Sequence, residues 1–309
     1  IRANPEANIV ATGCYAQTAP QEIQTIKGID LIVGHAEKLR IAEFARMGLP
    51  ESEFPRLIRK SIHQAEHFDA MPSVSPRSRT RAFLKIQDGC DAFCTYCIVP
   101  HARGRSRSMP VTDVAQHIAK LMADGFQEVV LTGIHLGFYG QDLTPPTSLA
   151  ALLSRMAYET KMPRIRISSI EPTEIEADLV NSVADPQSRV CPHLHVPLQS
   201  GDNDVLKRMG RPYTREMFAK AIMTVHQVLP NAAIGVDIMA GFPGESDEAF
   251  ERSYELIRTL PITYLHVFPF SPRKGTPAEK FSGKISDSVV KARCQRLRNL
   301  GEKKKKEFF

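Results

Sequence analysis

Tryptophan is absent from this 309-residue sequence, and the aromatic residues together make up only 7% of it. No apolar run approaches the roughly 18–20 residues that a membrane-spanning helix needs, and nothing near Ile1 resembles a signal peptide. Six cysteines, three of them crowded together, are too unevenly spaced for an extracellular disulfide framework. These absences exclude a membrane protein and a disulfide-stapled mini-protein, and they predict a soluble protein of the reducing cytoplasm.

The net charge of +6 is mild, but its distribution along the chain is uneven. Seven basic residues stand against two acidic ones between residues 71 and 110, and twelve against three between residues 273 and 306. Basic clusters of this kind favour a polyanionic partner such as a nucleic acid. A solvated, lysine-rich helix is an equally good interpretation of the second cluster.

Both ends of the sequence predict a piece of a longer protein, because it begins at Ile1 without an initiator methionine and stops at Phe309 within a charged run. Strand-like runs at 8–12 and 30–34, each followed by helix-like sequence, are too few to close a sheet. We therefore expect the later part of an α/β domain at 1–49. Four prolines among residues 50–78 predict a linker or an edge excursion there.

Strand-like and helix-like runs alternate through residues 79–283, which predicts a parallel sheet, either doubly wound or an incomplete barrel. The strand candidates are 82–87, 128–132, 164–168, 193–198, 233–239 and 263–268, and the longer helix candidates are 111–124, 149–159, 215–229 and 247–259. Nearly every strand candidate is followed at once by Gly, Ser, Gln or Pro. Ligands of parallel βα folds collect at these carboxyl ends. Residues 284–309 predict a basic terminal helix.

Cys90, Cys94 and Cys97 form the pattern C-x3-C-x2-C in a segment bounded by Gly89 and Pro100, which favours a loop. Three thiolates in a tight loop can hold three irons of a [4Fe–4S] cluster and leave the fourth iron open to a small chelating ligand. Two other interpretations stay open. His101 could complete a Cys3His zinc site, or the three thiols could simply be buried.

The triple-cysteine motif after the first strand of a βα series resembles that of the radical SAM superfamily. Further segments resemble the methylthiotransferases of tRNA and ribosomal proteins: TGCYAQ (12–17), FLKIQDGC (83–90), PHARGRSRS (100–108), LTGIHLG (131–137), PHLHVPLQSG (192–201), DIMAGFPGE (237–245) and HVFPFSP (266–272). The KIQDG lead-in and the ARGR tail are most similar to the MtaB-type branch. That branch methylthiolates threonylcarbamoyladenosine beside the tRNA anticodon.

The resemblance implies an incomplete (β/α)6 radical SAM barrel preceded by a partial α/β N-terminal domain. It implies that Cys90, Cys94 and Cys97 hold a [4Fe–4S] cluster that binds S-adenosylmethionine and generates a radical for the adenine C2–H bond. It also implies a second [4Fe–4S] cluster, for which Cys14 matches the third ligand. The first two ligands and the RNA-binding TRAM domain have no counterpart here. We therefore expect this chain alone not to complete the reaction.

The resemblance further places S-adenosylmethionine contacts at strand ends. The Gly133 backbone would meet the methionyl amine, and Ser169 and Gln199 would bind ribose or carboxylate. Gly235 and Asp237 would lie on the strand that flanks the adenine. The alternatives are turns that need φ > 0 at the glycines and loop capping by Ser169 and Gln199.

The implied partners are the anticodon loop of a tRNA and an electron donor such as flavodoxin or ferredoxin. Arg103, Arg105 and Arg107 are candidates for phosphate contacts or for surface solubility. Glu171 is a candidate for the substrate pocket or for a helix cap.

Two other substrates stay open, isopentenyladenosine in tRNA and a ribosomal protein. A zinc-stabilised RNA-binding module that uses His101 is the alternative of another class. The remaining histidines, together with Cys191 and Cys294, are interpreted as structural.

Overall fold

The N-terminal unit is a small parallel sheet covered by short helices. The structure, a computed structural model, describes residues 4, 7–47, 55–70 and 80–309. The sheet has the order β1-β2-β3, with β1 at Val10–Thr12, β2 at Leu31–Val33 and β3 at Arg56–Ile58. Its helices are α1 (Cys14–Thr18), α2 (Pro20–Gln24) and α3 (Ile41–Arg46), the last preceded by a 3-10 helix at His35–Arg40. Alternate residues of β2 are buried against opposite faces, as expected for a covered strand.

Strands β1 and β2 confirm the two strands predicted at 8–12 and 30–34. Strand β3 lies within residues 50–78 and pairs with β2 at the edge of the sheet, so an edge excursion describes this part better than a linker. The predictions for residues 1–3, 5–6, 48–54 and 71–79 lie outside the described residues. They include Arg77, Arg79 and two of the three predicted domain boundaries, so the division into domains stays a prediction.

Six parallel strands in sequence order form a curved, open sheet. The strands after β3 are β4 (Arg81–Lys85), β5 (Gln87–Asp88), β6 (Arg107–Ser108), β7 (Glu128–Thr132), β8 (Arg164–Ile167), β9 (His193–Gln199), β10 (Ala233–Ala240) and β11 (Tyr264–Pro269). Strands β4-β7-β8 and β9-β10-β11 pair in parallel, and parallel bridges at Ile165–Val190 and Ser169–His195 connect the two groups. The order follows the chain without the reversal of a doubly wound sheet, so the incomplete (β/α)6 barrel is confirmed. Strands β5 and β6 form a separate antiparallel pair.

Helices cover the outer face of this sheet. They are α4 (Val99–Arg103), α5 (Val111–Ala123), α6 (Leu149–Glu159), α7 (Ala177–Ala184), α8 (Asn203–Met209), α9 (Arg215–Val228), α10 (Asp247–Thr259) and α11 (Asp287–Phe308). Four of them begin at a side chain that accepts a backbone N–H bond, which is the usual N-cap: Ser148, Asp202, Thr214 and Ser246. None of the helices in the described ranges is long and apolar enough to cross a bilayer.

The two faces of the barrel strands differ sharply in chemistry. Residues such as Leu131, Ile167 and Val196 are fully buried against the helices and form the main core. The next residue along each strand points to the opposite face, and this inner face carries charged and polar side chains such as Arg166 and His195. The apolar core therefore holds the barrel together and leaves its lumen available for polar ligands.

Candidate functional site

The three clustered cysteines lie on a loop between β5 and α4, at the carboxyl end of the first barrel strand. The amide of Cys90 donates to the Gly104 carbonyl at 3.0 Å, and the amide of Cys97 donates to the Cys94 carbonyl at 2.9 Å. Gly89 has φ +78°, and a Cβ there would lie 1.8 Å from the Arg105 carbonyl oxygen. Only glycine fits this approach. The predicted loop ends at Val99, where α4 begins with Pro100 in its first turn.

The three thiols are close enough to affect one another. Cys94 is buried, whereas Cys90 and Cys97 are half-buried. Burial raises the pKa of Cys97 to about 11, and the neighbouring Cys94 and Cys90 add to the rise. Three such thiols ionise together only when a cation neutralises them, so the donor set suits a metal group.

Two observations bear on the zinc interpretation of the cysteine loop. Within the described residues, the trio of possible ligands that lie close enough together for one ion, within 4.8 Å of one another, is His195, Asp237 and His266. A [4Fe–4S] cluster binds each thiolate at a separate iron, so its ligands do not have to meet at one ion. His101, the fourth ligand of the zinc interpretation, is exposed and packs edge-on against Phe93.

Two side chains that the sequence reasoning missed contact the cysteine sulfurs. Arg211 follows the left-handed Gly210 that ends α8, and its Nη1 donates to Cys94 Sγ at 3.1 Å. His135 Nδ1 lies 3.6 Å from Cys90 Sγ. Burial alone would lower the pKa of His135, but its bonds to Cys90 and Glu174 raise it to about 10. The LTGIHLG segment contains His135, so the sequence carried a signal for this residue, whereas only the fold brings Arg211 to Cys94.

Glu171 has the capping role that the sequence left open, and its contact with the substrate stays a prediction. It is the N-cap of a 3-10 helix at Pro172–Glu174, within a reciprocal capping box with Glu174. Its carboxylate also forms an ion pair with Arg211. Glu171 thereby fixes the guanidinium that touches Cys94, although no substrate contact is needed to explain its position.

Gly133 lies where β7 ends, directly against the cysteine loop. A Cβ at Gly133 would lie 2.8 Å from Gln87 Oε1. This oxygen accepts from the amides of Ile134 and His135 at 2.8 and 2.9 Å, while Gln87 Nε2 donates to the Gly89 carbonyl at 2.8 Å. Gly133 is therefore required by close packing rather than by a positive φ. Its contact with the methionyl amine stays a prediction.

Ser169 and Gln199 lie at neighbouring strand ends. Ser169 forms the parallel bridge to His195 and lines the barrel lumen. Gln199 ends β9 with φ +63°, a conformation that costs a non-glycine residue about 1–2 kcal/mol. A strained residue at a strand end is typical of a functional site. Both residues stay candidates for S-adenosylmethionine.

Gly235 and Asp237 lie within β10, and Asp237 lines the lumen. A Cβ at Gly235 would lie 2.2 Å from the Tyr264 ring, so this glycine admits the tyrosine and does not form a turn with φ > 0. Asp237 Oδ1 accepts from His195 Nε2 at 2.7 Å and lies 3.3 Å from His266 Nδ1. The contact of this strand with the adenine stays a prediction.

The three arginines after the cysteine loop differ from one another. Arg103 Nη1 donates to Asp88 Oδ1 at 3.0 Å and bonds to Cys14, so its guanidinium joins the two units of the chain, and its contact with a phosphate stays a prediction. Arg107 is buried and donates to the carbonyls of Arg103 and Arg105, each at 2.8 Å. Arg105 is exposed and remains a candidate for phosphate.

Cys14 lies on the same side of the molecule as the cysteine loop. It begins α1, which packs against α4. A cavity of about 630 Å³ is lined by Cys14 and by Ile98, the residue directly after Cys97. The sulfur of Cys14 therefore lies near the clustered cysteines, and its role as a ligand of a second cluster stays a prediction.

Comparison with known proteins agrees with this geometry. Residues 84–257 match the family model of the radical SAM superfamily. A radical S-adenosylmethionine methyltransferase, TsrM from Kitasatospora setae, has the same fold with a TM-score of 0.66, at 16% identity over 85% of this chain and 55% of TsrM. The chain therefore belongs to the radical SAM superfamily of enzymes.

Its relatives define the family more narrowly. The chain is 41% identical to the threonylcarbamoyladenosine tRNA methylthiotransferase MtaB of Bacillus subtilis, over all of this chain and 68% of that protein. It is 37% identical to MtaB of Aquifex aeolicus, over 74% of that protein, and 33% identical to a tRNA-2-methylthio-N(6)-dimethylallyladenosine synthase of Clostridium tetani. The chain belongs to the MtaB family of radical SAM methylthiotransferases.

Proposed function

We propose that the protein adds a methylthio group to C2 of threonylcarbamoyladenosine beside the anticodon of tRNA. The observation that carries the proposal is the loop that gathers Cys90, Cys94 and Cys97 at the mouth of the barrel, in a chain 41% identical to an MtaB protein along its whole length. The dimethylallyladenosine synthases match at lower identity. The proposal includes a cytoplasmic location, because the substrate is tRNA, and an electron donor such as flavodoxin or ferredoxin.

Cys90, Cys94 and Cys97 would hold a [4Fe–4S] cluster with S-adenosylmethionine beside it. When bound, this pair supplies one-electron radical chemistry at an unactivated C–H bond. The chain's own contribution is electrostatic and positional. Arg211 donates to Cys94 Sγ and offsets the charge of the thiolates, while the ion pair with Glu171 fixes its orientation. Cys14 would hold the second cluster on the neighbouring face.

Anaerobic purification tests the metal group directly. We expect a brown protein with broad absorbance near 400 nm that is bleached when Cys90, Cys94 and Cys97 are replaced by alanine. The matched controls are Cys191→Ala and Cys294→Ala, which remove buried thiols outside the loop and should keep the colour. A colourless protein with stoichiometric zinc would contradict the proposal.

Nucleoside mass spectrometry tests the substrate. In tRNA from a deletion strain, we expect threonylcarbamoyladenosine to lack its methylthio group and to regain it when the gene is restored. Loss from isopentenyladenosine instead would assign the other tRNA branch, and unchanged nucleosides would point to a ribosomal protein.

A further inference from the structure

The barrel lumen contains a polar cavity. The cavity measures about 630 Å³, and we call it the lumen pocket after the polar residues that line it. They include Arg166, Ser168, His193, Asp237, Tyr264 and His266. Ser168 precedes Glu171 by three residues, or about 10 Å of chain at most, and Glu171 pairs with the arginine that touches Cys94. The lumen pocket is therefore close to the mouth of the barrel.

The base of the lumen pocket has an excess of positive charge. Glu128 accepts from Arg81 at 2.8 Å and from Arg164 and Arg166 at 2.9 Å each, so three guanidiniums share one carboxylate. The charge affects a neighbouring side chain. Burial lowers the pKa of His193 to about 4, and Arg166 lowers it further. An anion in this pocket would be attracted to the guanidiniums of Arg81 and Arg166, which line it, whereas Arg164 lies outside it.

A buried hydroxyl in the lumen pocket lacks a partner. Ser168 Oγ is inaccessible to solvent and has no hydrogen-bond partner within the part of the chain that the structure describes. A buried polar atom without a partner costs about 1–3 kcal/mol, and most such atoms in proteins are bonded. Rotation about the Cα–Cβ bond of Ser168 would turn this hydroxyl into the lumen pocket, where a bound acceptor would satisfy it.

Asp237, the carboxylate of the lumen pocket, would not repel a bound anion strongly. His195 and His266 lie against its Oδ1 at 2.7 and 3.3 Å. The pocket thus offers cationic and hydroxyl donors on β8 and a shielded acceptor on β10. A ligand with a carboxylate and a hydroxyl group matches this pattern, whereas an apolar group would leave these polar atoms unpaired.

We infer that the lumen pocket holds the N6 substituent of the substrate adenosine, with Arg166 and Ser168 binding its threonyl carboxylate. This inference rests on the proposed function and adds the residues that select the substrate. Charge-assisted hydrogen bonds to a carboxylate are short and strong, and arginine often binds it with two of them. A site that hydrogen-bonds its substrate also rejects the analogue without those groups. The dimethylallyl group has no polar atom to offer.

Binding of modified RNA to the reconstituted holoenzyme tests the inference without turnover. The probes are anticodon stem–loops that carry threonylcarbamoyladenosine, its neutral methyl ester, or unmodified adenosine. Their binding is measured by fluorescence anisotropy under anaerobic conditions without reductant. We expect the wild type to prefer the free carboxylate over the ester by about 10- to 100-fold. Arg166→Gln should reduce this preference to about twofold, and Ser168→Ala should reduce it by about 3- to 10-fold. Binding of the unmodified stem–loop should stay constant.

The matched control is Arg164→Gln, which removes another partner of Glu128 but lies outside the lumen pocket and should keep the full preference. If Arg166→Gln does not fold, Ser168→Ala decides alone, because it removes a single oxygen atom. Full preference in the folded variants, or none in the wild type, overturns the inference. Nucleoside mass spectrometry of the deletion strain separates the two proposals. Loss of methylthiolated threonylcarbamoyladenosine from that strain, without any carboxylate preference in the binding assay, refutes only the inference, whereas unchanged nucleosides refute the function.

Discussion

Arg211 occupies an unusual position for a cation, since its side chain is only 5% exposed. Its neighbours are the Cys94 sulfur, the Glu171 carboxylate and the face of the Tyr213 ring. Burying an isolated charge costs much free energy, and here the Glu171 carboxylate and the Cys94 sulfur both contact the guanidinium. Arg211 therefore links Cys94, a proposed ligand of the metal group, to Glu171, which follows β8.

Replacing Arg211 by glutamine should make the cluster harder to reduce. The reduced cluster carries more negative charge, and a cationic donor at a ligand sulfur stabilises it. We expect a shift of tens of millivolts to more negative potential, since 59 mV is about 1.4 kcal/mol for one electron. The measurement is an EPR-monitored redox titration with Arg215→Gln, a surface variant, as the control. An unchanged or more positive potential would refute this role.

Gly235 leaves room in the lumen for the Tyr264 ring because its side chain is a single hydrogen atom. The Tyr264 ring fills the space above it, and the Tyr264 hydroxyl lies 2.8 Å from His193 Nε2. Gly235→Ala should destabilise the protein by about 1–3 kcal/mol through overpacking, as measured by thermal or denaturant unfolding. Adding Tyr264→Leu should recover part of the loss, because the smaller side chain makes room. Strictly additive effects of the two changes would argue against the clash.

At the level of elements, the long strands and helices were predictable and the short ones were not. Strand β7 and helices α6 and α10 have the predicted limits because their apolar periodicity extends over several residues. The two-residue pair β5 and β6 has no such pattern. Helices α4, α7 and α8 were also missed, since five to eight residues gain most of their stability from tertiary contacts.

Helix α11 packs along β11 and is fixed by one buried ion pair. Arg293 Nη1 donates to Glu245 Oε2 at 2.7 Å, and the Glu245 side chain is 1% exposed. Arg293→Met should cost about 3–5 kcal/mol of unfolding free energy, because it leaves a buried carboxylate without its partner. The control is Arg296→Gln, whose pair with Glu251 is half-exposed and should cost less than about 1 kcal/mol. Similar losses in both variants, compared by chemical denaturation, would contradict this argument.

At the level of the whole molecule, Asp88 joins the N-terminal unit to the barrel. His35 and Lys38 reach it from one side at 3.3 and 3.7 Å, and Lys85 and Arg103 from the other at 2.8 and 3.0 Å. Burial opposes ionisation of Asp88, yet these partners hold its pKa well below the usual range. The contacts of His35 and Lys38 span about fifty positions, so no local pattern in the sequence could have predicted them.

Lys38 makes this junction sensitive to pH. Burial, together with Lys85 and Arg103, lowers its pKa from 10.5 to about 8, although Asp88 acts in the opposite direction. Between pH 8 and 10.5 the unfolded chain binds more protons than the folded one, so stability rises with pH. We expect the melting temperature of the wild type relative to Lys38→Met to increase across this range. Exposed Lys220→Met should show no such trend, and a flat difference for Lys38 would disprove the assignment.

The candidate site was predictable where its chemistry is concentrated in one segment. Cys90, Cys94 and Cys97 could be found because all three lie within eight residues. Arg211 and the lumen pocket could not, since β8, β9, β10 and β11 contribute a few residues each from widely separated parts of the chain. The bond of Arg103 to Asp88 was not predicted because its partner lies fifteen residues earlier, across a loop.

The barrel is left unclosed between its first and last strands. In the described ranges β4 and β11 are the two edges of the sheet, and each directs an aromatic side chain, Phe83 and Phe268, into the gap, about half exposed. A closed ring admits only what passes through its end, whereas this slit leaves the lumen open along its side as well. The two rings give the edges of the slit flat, apolar surfaces.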